Sequence, residues 1–109
     1  MKQELDKIAA MVKPETLTDR TKVLEVIRQW TLFKGALLNE VKKRPMTTFD
    51  QREAISDTMD RIKILNIWPW GGALESILEH VGQVKILEHW TACLSFARAE
   101  LAKLESKAA

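Results

Sequence analysis

A chain of 109 residues, 46% hydrophobic and 29% charged, is long enough for one folded domain, residues 1–109, with a modest core, and its composition is not that of a disordered segment. The formal net charge of +2, with acids and bases interspersed, is too weak a bias to imply nucleic acid by itself, and four glycines and three prolines are too few for the many turns of an all-β fold. Cys93 is the only cysteine, which excludes an internal disulfide and a thiolate metal cluster and points to reducing, cytoplasmic surroundings.

Lys2-Gln3-Glu4-Leu5-Asp6 has no apolar signal core, and the longest mainly apolar run, Ile62 to Leu78, is interrupted by Lys63, Asn66, Pro69 and two glycines. Neither reads as a membrane segment. Residues 2–12 form a short amphipathic helix with Leu5, Ile8 and Val12 on one side, ended by Pro14. A helix so short is marginal alone in water, so it docks on the body, docks on a partner or frays. Residues 1–17 are therefore open to description as a loosely docked helix and linker.

Thr18 is the expected N-cap of the next helix, about 19–43, with Asp19 in its first turn. Val23, Val26, Ile27, Trp30, Phe33, Leu37 and Val41 recur at spacings of three and four and make its core face. Lys42-Lys43-Arg44 and Pro45 close it. Thr47-Thr48 then caps a helix of about 49–66, with Ala54, Ile55, Thr58, Met59, Ile62 and Leu65 inside and Asp50, Glu53, Asp57 and Asp60 in an outer stripe. Ile64 points to the polar side, where an isoleucine has no reason within the chain to be.

Trp68-Pro69-Trp70-Gly71-Gly72 follows as a stiff aromatic joint, its proline forbidding helix and its glycines allowing a sharp reversal. Beyond it, residues 73–106 change their apolar face. Leu74, Ile77, Leu78, Val81 and Val84 cluster on one side; Ile86, Leu87, Trp90, Cys93, Leu94, Ala97, Leu101 and Leu104 cluster on nearly the opposite one. The repeat of Ile77-Leu78-Glu79-His80 as Ile86-Leu87-Glu88-His89 states the same offset, since a shift of nine residues is about half a revolution. The expectation is a break at Gly82, giving helices of about 73–81 and 83–106. The alternative is one straight helix burying opposite faces against different partners. The fold class is all-α: a compact antiparallel bundle of four to five helices.

Few residues carry chemistry. His80 and His89 cannot share a metal on one helix, there is no His-Glu-x-x-His motif, and neither metal nor cofactor is expected. The acidic stripe is a solvated face or a patch for a basic partner. Lys34 lies within the apolar arc of its helix, either with its stem packed on Trp30 and its ammonium in water or, with Arg28 and Arg52, as an anion-binding site. Lys42-Lys43-Arg44 and Lys63 are a thin basis for nucleic-acid binding.

Arg44-Pro45 followed by Asp50-Gln51-Arg52-Glu53 resembles the loop and helix start of the small all-helical chorismate mutases, over this one stretch. The regular arginines that such a resemblance implies on the preceding long helix are absent, and the chain is not assigned to that family.

The expected function is a non-enzymatic protein-binding module, a small adaptor, assembly subunit or inhibitor of the kind common among bacterial and phage accessory proteins. Ile64, Ile67, Trp68, Trp70 and Leu74 are its expected contact residues, with Glu79 and His80 at the rim. The partner is another protein, a second copy in a homodimer, or both. The rival is a small helical enzyme using Lys34, Arg28 and Arg52 on an anionic substrate, with Glu53 assisting; nucleic-acid binding is the third reading.

Overall fold

The computed structural model describes the chain except Ile64, Pro69, Gly71 and Ala109, and describes residues 104–108 by their backbone alone. Among the described residues six helices follow in order: α1 (Lys2–Ala10), α2 (Pro14–Leu17), α3 (Arg20–Lys42), α4 (Phe49–Lys63), α5 (Leu74–His80) and α6 (Gln83–Ala108). They pack as an all-α bundle measuring 48 × 25 × 18 Å, with no strand among the described residues. No helix among them is long and apolar enough to cross a membrane.

The core is built on α3. Val23, Val26, Trp30, Phe33, Leu37 and Val41 are buried, as their spacing requires, and each such side chain contributes roughly 1.5–3 kcal/mol on leaving water. Ile27, expected on that face, is half-buried, and Gln29 is buried in its stead. The Gln29 amide donates to Glu25 at 2.8 Å, which offsets the loss of its water contacts. Against α3 lies α1, with Leu5 and Ile8 buried in the shared core; α1 also packs on α6. The first helix is thus docked.

Several helix ends differ from expectation, each for a local reason. Pro14 does end α1, which stops at Ala10, but its fixed φ also suits the first position of a helix and opens the single turn α2. Thr18 is not the cap of α3. Its hydroxyl donates back to the Glu15 carbonyl at 2.7 Å, closing α2, and Asp19 takes the capping role by accepting from the Thr21 amide at 3.0 Å. At α4 the expected cap holds: the Thr48 hydroxyl accepts from the Gln51 amide at 3.1 Å while the Gln51 side chain accepts from the Thr47 and Thr48 amides at 2.9 and 3.1 Å. That reciprocal arrangement is a capping box.

α4 ends at Lys63, not near residue 66. Leu65 and Ile67 are both buried and Asn66 between them is exposed, so an irregular strap drives alternate side chains into the core. Past it, α5 and α6 are separate helices. Gly82 sits at φ +93°, a region that side chains with a Cβ rarely enter, and it turns the chain between them. Val84 then belongs to α6, whose buried side is formed by Ile86, Trp90, Cys93, Leu94, Ala97 and Leu101; it is 70% exposed and does not extend the apolar side of α5. Leu104 lies outside the described side chains.

Candidate functional site

The strap from Leu65 to Trp68 is fastened by polar side chains from two helices. Leaving α4, the chain has a backbone carbonyl at Leu65 without a helical partner, and the Lys34 ammonium donates to it at 2.6 Å. The next carbonyl, of Asn66, accepts from His89 Nε2 on α6, and the Cys93 thiol reaches the same oxygen at 3.8 Å. A carbonyl oxygen only accepts, so the His89 proton resides on Nε2. Cys93 Sγ lies 3.4 Å from that nitrogen, one turn along α6. The Asn66 side chain accepts from the Trp68 amide at 3.1 Å and turns the chain toward the tryptophans.

Two of those tryptophans part company here. Trp68 is half-buried and tilts against the fully buried Trp90, centroids 5.8 Å apart at 60°. Trp70 is 42% exposed, and its ring meets the His89 ring edge to face at 5.3 Å. His89 therefore holds the strap through Asn66 and steadies the exposed indole through its ring.

Burial pushes the Cys93 thiol up to about 11, with the Lys34 charge a smaller opposing influence. At neutral pH Cys93 keeps its proton and acts as a weak donor, not as a nucleophile beside His89. Among the described residues no group of three or more His, Cys, Asp and Glu could hold a metal ion.

The other expected site residues fall as follows. Ile67 is 4% exposed and belongs to the core; Leu74 is half-buried at the start of α5, and Glu79 and His80 are exposed near its end. The Nδ1 of His80 is 3.0 Å from the Ser76 carbonyl of its own helix, so the two histidines serve different acceptors. Ile64 and Pro69 lie outside the described residues. Lys34 is given to Leu65. Arg28 is held by both Glu25 oxygens at 2.9 and 2.7 Å, and Arg52 donates to the Met46 carbonyl at 3.4 Å. The three cations thus turn to three separate acceptors within the chain.

Asp50, Glu53, Asp57 and Asp60 are all exposed on α4. Lys43 of the basic run pairs with Glu40 at 2.9 Å. A carboxylate missed in the sequence is Glu100, 4% exposed on α6, between Arg61 at 3.5 Å and Lys103 at 3.4 Å. A shallow groove of about 190 Å³ between α1 and α6 has the buried Leu5 and Leu101 as its floor and Lys2, Asp6 and Arg98 at its rim.

A second surface lies on α3. Between positions 24 and 39 its exposed residues are Leu24, Arg28, Thr31, Leu32, Gly35 and Asn39. Leu24 and Leu32 are 48% and 49% exposed, and a Cβ built on Gly35 would meet nothing within 4 Å. Glycine in a helix interior costs about 1 kcal/mol against alanine, and nothing inside the chain requires it here.

Comparison with protein-family models, with curated proteins and with solved structures found no match to this chain.

Proposed function

We propose that this chain is a non-enzymatic protein-binding module that presents Trp70 to an apolar pocket on another protein. The observation that carries the reading is an exposed indole whose ring is seated on a histidine that also ties the strap before it. Trp70 is 42% exposed, yet the strap leading to it is tied by Lys34, His89 and Cys93 and its ring rests on His89. An aromatic already ordered before contact loses little conformational entropy on binding, and tryptophan is enriched among residues that dominate interface energetics. Leu74 and the exposed Glu79 and His80 on the neighbouring α5 supply an apolar shoulder and a polar rim.

Occupation of a surface, not turnover, is the mode of action that these residues favour. Lys34 supports that choice, because its ammonium is committed to a backbone carbonyl. The test is affinity capture with immobilised wild type, Trp70→Ala and Val84→Ser, each first shown to keep its helical circular dichroism. Proteins retained by wild type and by Val84→Ser but lost with Trp70→Ala are the expected result. Equal retention by all three would end the reading.

A further inference from the structure

We infer that the turn between α3 and α4 is an interfacial anchor that sets Phe49 and Met46 into the surface of a bilayer containing anionic phospholipid. The turn precedes α4 and the Trp70 tip follows it, so the inference does not depend on the function proposed for that tip. Pro45 to Asp50 are all exposed. Their two large apolar side chains stand far out, Phe49 at 69% and Met46 at 48% exposure, and neither packs against the core. Apolar side chains held at the tip of a turn can enter the boundary between headgroups and acyl chains, with affinity that grows with the apolar area buried there.

Two features select a bilayer as the occupant. The first is the backbone of the turn. Peptide groups that enter the interface lose water, and each one left without a partner there is costly. Here Pro45 has no amide hydrogen, the Arg44 amide donates to the Val41 carbonyl at 3.2 Å, and the Thr47 and Thr48 amides donate to the Gln51 side chain at 2.9 and 3.1 Å. Arg52 donates to the Met46 carbonyl through its guanidinium at 3.4 Å and to the Thr48 carbonyl through its amide at 3.1 Å. These groups keep their partners where water is withdrawn.

The second feature is charge. Lys42, Arg44 and Arg52 flank the apolar pair, and Arg52 reaches the tip itself at Met46. Asp50 and Glu53 oppose them, while Lys43 and Glu40 cancel each other at 2.9 Å, so the turn keeps a small positive excess. The other acids of the α4 stripe stand back: Asp57 and Asp60 lie about 12 and 16 Å along the helix from Phe49, beyond a screening length of about 8 Å. Apolar burial therefore carries the binding, and charge selects the lipid. Nucleic acid fits less well, because Met46 has no ring on which a base can stack and the Thr47 hydroxyl is turned to Gln51 at 2.9 Å.

The experiment is flotation with vesicles of phosphatidylcholine alone and of phosphatidylcholine mixed with phosphatidylglycerol, at millimolar lipid, for wild type, Phe49→Ser, Lys42→Gln, Trp70→Ala and Val84→Ser. Phe49 lies outside the core, so its substitution leaves the packing in place, and circular dichroism checks that each variant keeps its helix content. Wild type, Trp70→Ala and Val84→Ser should float with the mixed vesicles. Phe49→Ser should weaken partition by about tenfold and Lys42→Gln by about fivefold. Wild type that stays unbound in the presence of mixed vesicles would overturn the inference. So would binding that Phe49→Ser leaves unchanged, binding that Trp70→Ala removes, or equal binding to both kinds of vesicle. A chain that ignores the vesicles but retards single-stranded RNA in a gel would assign the turn to nucleic acid instead.

Discussion

The Lys34 ammonium donates to the Leu65 carbonyl at 2.6 Å, joining α3 to the chain just beyond α4 across 31 residues of sequence. The bond explains a lysine within an apolar arc. The side chain is half-buried, and its charge meets a carbonyl that the end of α4 leaves without a helical partner. Lys34→Met keeps the stem and removes the donor. Loss of a hydrogen bond to a charged group should lower the unfolding free energy by about 1.5–3 kcal/mol in a urea titration. Amide exchange should rise at residues 65–68 before it rises in α3.

Cys93 gives a pH dependence with a definite sign. Burial raises its thiol in the folded chain from 9.0 to about 11, so the folded state holds the proton more tightly than the unfolded state does. The resulting stability is fully present below pH 9 and is lost as pH rises through about 11. Cys93→Ala should therefore lose less stability than wild type over that interval, as read by urea midpoints at each pH. In the native protein the thiol should react with a disulfide reagent at neutral pH only slowly, and rapidly once urea unfolds the chain.

Glu25 runs the other way. Its carboxylate accepts from Arg28 first and from Gln29 second, which lowers its pKa from 4.5 to about 2. The folded state holds this proton less tightly, so the contribution to stability is present above pH 4.5 and is lost as pH falls through about 2. In Arg28→Ala the carboxyl carbon of Glu25, followed by NMR, should titrate closer to 4.5.

Two glycines should respond oppositely to alanine. Gly82→Ala places a Cβ at φ +93° and should destabilise by about 1–2 kcal/mol. Gly35→Ala adds a methyl where nothing lies within 4 Å and should raise the stability of dilute protein by up to about 1 kcal/mol. Thermal unfolding of the pair, side by side, checks both signs.

What the sequence made legible was periodic. The spacing of Val23 through Val41 predicts the buried side of α3, and the offset between the two Ile-Leu-Glu-His repeats predicts the break that Gly82 makes. Helix ends were less legible, because Thr18 and Asp19 are both good caps and only the competing Glu15 carbonyl assigns their roles. The clamp on the strap was out of reach. Lys34, Asn66, His89 and Cys93 meet through backbone oxygens, which leave no mark on side-chain patterning, and His89 therefore passes for a surface residue. Exposure of Trp70 but not of Ile67 likewise depends on where α4 stops, a boundary that periodicity does not resolve.

The close approach of Trp68 and Trp90, in a chain with four tryptophans and no tyrosine, has an optical consequence. Indole dominates the near-ultraviolet emission, and two rings tilted at 60° with centroids 5.8 Å apart are close enough to couple as chromophores. The ellipticity from that pair reports whether the strap is seated on α6. The emission wavelength of Trp70, the one indole well exposed to solvent, reports whether the tip is occupied. Seating and occupancy can thus be followed in a single cuvette, with no label attached.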